Sequence, residues 1–207
     1  RFLSDVEEAG TLTDYVWPIE LAAQAEMQLG SCLCDEDLPS EAELVFLRAV
    51  GRLEDLERLF ISRGVSPSSY PSIGNLLSAT LISLAVNANV RLHDSERALE
   101  YFERAYEIRQ DEFSTVLLAC YRARSGQEVA AREALERVPP SPNLYYNLTC
   151  AYALLGEKAR ALSFLEQELN SNHPTEAARE RQRAWARDDP DLAALRSEPR
   201  FKLLTSN

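Results

Sequence analysis

Lysine and histidine are the scarce residues of this chain. Lys158 and Lys202 are the only lysines, and His93 and His173 the only histidines, among 207 residues. Two histidines leave little from which to build an imidazole metal or acid–base centre. The basic residues are nearly all arginine, and they are outnumbered. Lys and Arg total 22 against 33 Asp and Glu, a net charge of −11. Wrapping nucleic acid requires a basic footprint, and an anionic membrane surface attracts one, so both roles are disfavoured. The four cysteines, Cys32, Cys34, Cys120 and Cys150, are too few for a disulfide-dense secreted framework. No apolar run reaches the roughly 18 residues of a membrane span. The chain opens on Arg1 without a methionine, so a fragment or processed form is expected, with a cytoplasmic setting as the default.

Alternating, strand-like runs are lacking too. Apolar residues recur at helical spacing, and glycine and proline fall between the periodic segments, which predicts an all-α fold. Thr13, or Trp17 with Pro18, is expected to start a helix running to Gly30, with "CLCDEDLPS" as a loop. Ser40 is placed as the next N-cap, with Glu43 completing a capping box. Leu44, Leu47, Val50, Leu53, Leu56 and Phe60 would share one face, and Gly51 is a candidate break. "IGNLLSATLISLAVNANVRL" predicts a buried helix, and Asp94 caps the helix after it.

The second half repeats itself. Leu118 matches Leu148, Cys120 matches Cys150, Gly126 matches Gly156 and Ala131 matches Ala161, all at an offset of 30. Ala98 lies 33 before Ala131. Each unit reads helix, turn, helix. A small residue (Ala98, Ala131, Ala161) lets the second helix approach the first, and a bulky one four later (Phe102, Leu135, Leu165) fills the space beside it. Self-similarity at such a period marks a repeat architecture.

On these residues the chain resembles the tetratricopeptide repeat family. Tyr145, Leu148, Tyr152, Gly156, Ala161 and Leu165 fall on that repeat's landmarks. The unit at 112–141 is shorter, with Arg122 in place of the tyrosine. The unit beginning near Ala79 matches in its second helix. The resemblance implies a right-handed α-solenoid of antiparallel helix pairs, with a divergent helical region at 1–75, about three repeats at 76–174 and a cap at 175–207. It also implies a scaffold or adaptor that binds a peptide or partner helix in a concave groove, without catalysis, cofactor or metal. Carried over position by position, the groove would be lined by Ser83, Asn87 and Arg91, then Val116, Cys120 and Arg124, then Tyr146, Cys150 and Leu154. "VGRLEDLERLFISRGVSP" resembles a single pentatricopeptide repeat, an RNA-binding relative, and the net charge disfavours that alternative.

Other patterns carry less chemistry. Cys32 and Cys34 in "CLCDEDL" have one residue between them, whereas paired zinc cysteines usually have two to four. Cys120 and Cys150 suit small apolar repeat positions as well as a thiol pair. His93 and His173 sit near helix ends. The sequon at Asn147 falls inside a predicted packed helix. No Ser/His/Asp set, HExxH or phosphate loop is present. At the end of the chain, "DPDLAAL" and "EPRFKLL" predict two short turns whose Leu192, Leu195, Phe201 and Leu204 fold back as a lid, with Ala177, Ala184 and Trp185 packing ahead of them. A similar ending recurs in tetratricopeptide proteins. A solenoid's last face needs such a cover.

Overall fold

The computed structural model describes residues 13–171 and 173–206, and no strand occurs among them. The chain forms two compact units, the first ending at Arg109 and the second starting at Gln110.

The first unit contains α1 (Thr13–Asp35), α2 (Pro39–Ser62), α3 (Pro71–Val86), a π-turn (Asn87–Arg91) and α4 (Ser95–Ile108). Consecutive helices pack on one another around Phe46, Leu53, Leu56, Phe60, Ile73 and Leu81. The first helix does not stop at Gly30. It continues through both cysteines of "CLCDEDL", and Pro18 sits inside it rather than at its start. Gly30 is there for proximity. A Cβ on it would lie 2.5 Å from the Phe46 ring of α2, so the glycine lets two helices touch.

Helix α2 begins at Pro39 behind Leu38, with no side-chain cap. Ser40 and Glu43 therefore form no capping box. Glu43 instead accepts two hydrogen bonds from Arg97 Nη1, at 2.8 and 3.0 Å, and one from Tyr101 at 3.3 Å. Gly51 does not divide the helix. The buried face is Ala42, Val45, Phe46, Ala49, Val50, Leu53, Leu56, Leu59 and Phe60, while Leu44 and Leu47 are exposed. Pro71–Arg91 has the length and composition of a membrane span after all, because serine, threonine and asparagine interrupt its apolar residues without adding charge. Half of that stretch is buried inside the protein, as in a core helix.

The second unit contains α5 (Glu112–Arg124), α6 (Glu128–Leu135), α7 (Tyr145–Leu154), α8 (Lys158–Ser171), α9 (Glu176–Asp188), a 3-10 turn (Pro190–Leu195) and α10 (Pro199–Thr205). Helices α5 and α7 each pair with the helix that follows and pack on each other. The two pairs turn identically. The amide of Gln127 donates to Arg122 O at 2.8 Å, as Glu157 does to Tyr152 O, and Gly126 and Gly156 donate three residues back at 3.1 Å. Each glycine has positive φ, 76° and 73°, the left-handed position of a Schellman helix end. In the first unit Asp37 (φ 59°) and Gly64 (φ 70°) end α1 and α2 the same way, with the Leu38 and Val65 amides donating five residues back to Leu33 O and Phe60 O at 2.9 Å. His93, at φ 54°, instead follows the π-turn, and the Asp94 amide donates six residues back to Ala88 O. Asp94 follows and caps α4, accepting from the Arg97 amide.

The chain end folds back as expected. Leu192 and Leu195 are fully buried and Phe201 nearly so, in one core with Leu144, Leu148 and Leu165. Helix α9 differs from expectation. Trp185 and Ala177 are exposed and Ala186 is the buried contact, with Arg179 Nε donating to Leu169 O on α8 at 2.9 Å and Arg187 donating to Thr205 O on α10 to hold the helix in that rotation.

Two glycines inside helices should respond oppositely to alanine. A Cβ added at Gly51 would meet open space, so Gly51→Ala should stabilise the first unit by about 1 kcal/mol. Gly30→Ala should cost about 1–3 kcal/mol through overpacking against Phe46. Chemical denaturation of both variants measures the difference.

Candidate functional site

The nine positions expected to line a groove fall into two sets, one in each unit. In the first unit, Ser83, Asn87 and Arg91 are spaced four apart along α3 and its π-turn. Asn87 is fully buried and ties three segments together. Its Nδ2 donates to Pro39 O at 2.9 Å, and its Oδ1 accepts from Cys34 Sγ at 3.3 Å. Ser83 donates to Ala79 O. Ser83 and Arg91 line an open pocket of about 280 Å³ with Ser31, Cys34, Asp35, Phe46, Ile82 and Val86. Among the described residues neither Asp35 nor Arg91 makes an ion pair. Burial raises the Cys34 thiol, and nearby Arg91 partly offsets this. The sequence pattern puts Cys34 in a loop, and its place in the pocket follows from the unexpected length of α1.

In the second unit, the i, i+4, i+8 spacing puts Val116, Cys120 and Arg124 on one face of α5, and Tyr146, Cys150 and Leu154 on one face of α7. Val116, Cys120 and Cys150 are buried, while Arg124, Tyr146 and Leu154 are half-buried. This face is not open at its polar end. The chain's own residues 189–191 lie on it. Arg124 grips Asp191 with two bonds, Nε to Oδ1 at 2.9 Å and Nη2 to Oδ2. Tyr146 donates to Asp189 Oδ2 at 2.7 Å, and Cys150 Sγ points at the same oxygen from 3.7 Å. Asp189 Oδ1 accepts from the Asp191 amide at 2.9 Å, so one carboxylate caps the 3-10 turn and holds α7.

Desolvation dominates the electrostatics here. Burial pushes the Cys120 thiol and the Tyr121 hydroxyl up to about 12 each. Burial also raises Cys150 and Tyr146, and the nearby carboxylates add to it. Arg124 would be lowered by burial, but the Asp191 carboxylate outweighs that and holds it firmly charged. Cys150, Asp189 and Asp191 bring three ligand atoms within 4.8 Å of one another. Both carboxylates are already engaged, by Tyr146 and Arg124, so a cation would have to displace an arginine. The thiols are protonated at neutral pH and are weak nucleophiles. Chemically the cluster is a lock between a helix pair and the chain end.

No family model matches this chain, and no curated protein matches it significantly.

The remaining candidates are structural in their surroundings. His173 is half-buried, with Nε2 3.5 Å from the Glu168 carboxylate, and His93 is an exposed turn residue. Asn147 lies inside α7, and its carbonyl accepts from Cys120 Sγ at 3.5 Å. The residues that sequence reasoning missed are Asp189 and Asp191. Their Asp-Pro-Asp context signalled a capped turn, but nothing local signalled that both side chains would reach α5 and α7.

Two measurements follow from this geometry. Tyr146→Phe removes one donor from a half-buried carboxylate and should destabilise the second unit by about 1–2 kcal/mol in denaturant titration. A small thiol reagent at neutral pH should label exposed Cys32 first. Cys120 and Cys150 should react only as fast as the unit opens, and quick labelling of either in the folded protein would contradict the assignment.

Proposed function

We propose that the chain is a non-catalytic interaction module. It is built from tetratricopeptide-like helix pairs arranged as a right-handed solenoid, and it holds a peptide or helix of a partner protein. The observation that carries this reading is the open pocket in the first unit, where Ser83 and Arg91 stand together with apolar Ile82 and Val86. A pocket that combines Arg91 and Asp35, neither in an ion pair among the described residues, with apolar Phe46, Ile82 and Val86 suits a side chain presented by a partner. The identical turns at Gly126 and Gly156, 30 residues apart, support the repeat reading of the second unit. The buried, protonated thiols support a role without chemistry.

The contacts made by residues 189–191 change which positions report on binding. Arg124 and Tyr146 are engaged by the chain itself, so substituting them tests folding before it tests partner capture. Ser83 and Arg91 are the informative positions. The RNA-binding alternative is disfavoured by the net charge and by Asp35, which lines the same pocket as Arg91.

A displayed random-peptide library selected on the whole chain tests the proposal. Enriched peptides should bind the wild type and lose at least tenfold in affinity to Ser83→Trp, which fills the pocket, and to Arg91→Glu. The helical signal should stay unchanged. Salt-dependent RNA retention on a filter, with no peptide enriched, would replace this reading with the alternative.

A further inference from the structure

The outward side of α1 is the second unassigned surface. Trp17 is 69% exposed, Leu21 49% and Leu29 48%, and Ala25 and Cys32 are exposed with them. Their spacing of four, four, four and three makes a continuous stripe along one side of the helix. Every exposed residue of α1 from Trp17 to Cys32 is uncharged. The two acids in that span, Glu20 and Glu26, are half-buried, and Glu26 is held by Arg52 at 2.9 Å and Arg48 at 3.8 Å on α2. In a chain that is 27% charged residues, a neutral apolar stripe of this length marks an interaction surface.

We propose that this stripe docks the same stripe of a second copy, antiparallel, about a two-fold axis at Ala25. Two features select a second copy over another partner. The first is symmetry. Leu21–Ala25–Leu29 reads the same in both directions, so an antiparallel copy places Leu21 against the partner's Leu29 and the reverse, with the small alanines at the crossing. The second is charge. Two chains of −11 repel wherever their acidic faces meet. Across this stripe the helices supply only neutral contacts at about 8–10 Å between axes. The charge nearest the crossing, Glu26 next to Ala25, is already paired with Arg52 and Arg48, and salt screens more distant charges over about 8 Å. A basic partner gains nothing from a stripe without acids, and an anionic bilayer gains nothing from one without cations. One helix laid on one helix is a small interface, so the dimer is weak and concentration-dependent.

Sedimentation equilibrium of the full chain across micromolar to millimolar concentration tests the pairing, with circular dichroism as the fold control. The wild type should show a monomer–dimer equilibrium. Leu21→Glu, at an exposed site, should weaken it at least tenfold without loss of helix. Adding Leu29→Lys to the same chain should restore it, because the antiparallel register sets the carboxylate introduced by the first change against the ammonium introduced by the second on the other copy. With Cys32 changed to Ser, Ala25→Cys should form a disulfide-linked dimer on mild oxidation, and Cys32→Ser alone should not. A wild-type chain that stays monomeric throughout would overturn the proposal, as would a dimer indifferent to Leu21→Glu. So would a dimer that forms only after residues 1–12 are removed, since that segment would then be the stripe's occupant. Binding of the wild type to neutral lipid vesicles, lost in Leu21→Glu, would also replace it.

Discussion

The paired guanidinium and carboxylate of Arg124 and Asp191 organise the second unit. Asp191 keeps 10% of its side-chain exposure and Arg124 21%, so both charges are largely removed from water. Removing two charges from water is costly, and only close, bidentate pairing compensates for it. The pair therefore permits one seating of the chain end. Asp189, two residues earlier, adds the Tyr146 contact and caps the turn at the same time. Once these polar contacts are in register, Leu192 and Leu195 fall into the core beside Leu144 and Leu148. The polar lock specifies the position, and apolar burial supplies most of the stabilisation.

This division of labour separates the two units. In the second, four positions that a tetratricopeptide-like groove would offer to a partner, Cys120, Arg124, Tyr146 and Cys150, face the chain's own Asp-Pro-Asp segment. In the first, Ser83 and Arg91 border an open pocket while Asn87 is buried behind it, and Arg91 stays without an ion pair among the described residues. The π-turn at Asn87–Arg91 is the local device. It adds a residue relative to α-helical winding, and Asn87 then reaches both Cys34 and Pro39, joining the end of α1 to the start of α2. Departures of this kind inside helices often accompany functional surfaces.

The all-α class was legible from periodicity, and the repeat turns from Gly126 and Gly156. The second half was legible because each repeated residue had a counterpart 30 positions away. Three readings failed for one reason: they were local. Gly30 looked like a helix end, yet its role is fixed by Phe46 on the next helix. Ser40 and Glu43 looked like a capping box, yet Arg97, 54 residues after Glu43, recruits that carboxylate. Trp185 looked like a packing residue, yet Ala186 packs instead while Arg179 and Arg187 reach carbonyls of α8 and α10. The second-unit positions expected to face a groove share one face of each helix. Their contacts to Asp189 and Asp191 come from the far end of the chain, and no spacing rule within α5 or α7 encodes that.

A double-mutant cycle on Arg124 and Asp191 measures the lock most directly. Denaturant unfolding of Arg124→Ala, Asp191→Ala and the double variant gives the coupling free energy. Each single change should cost about 3–5 kcal/mol by stranding its buried partner, and the double variant should cost clearly less than their sum. Purely additive losses, or single losses below about 1 kcal/mol as at an exposed pair, would contradict the account.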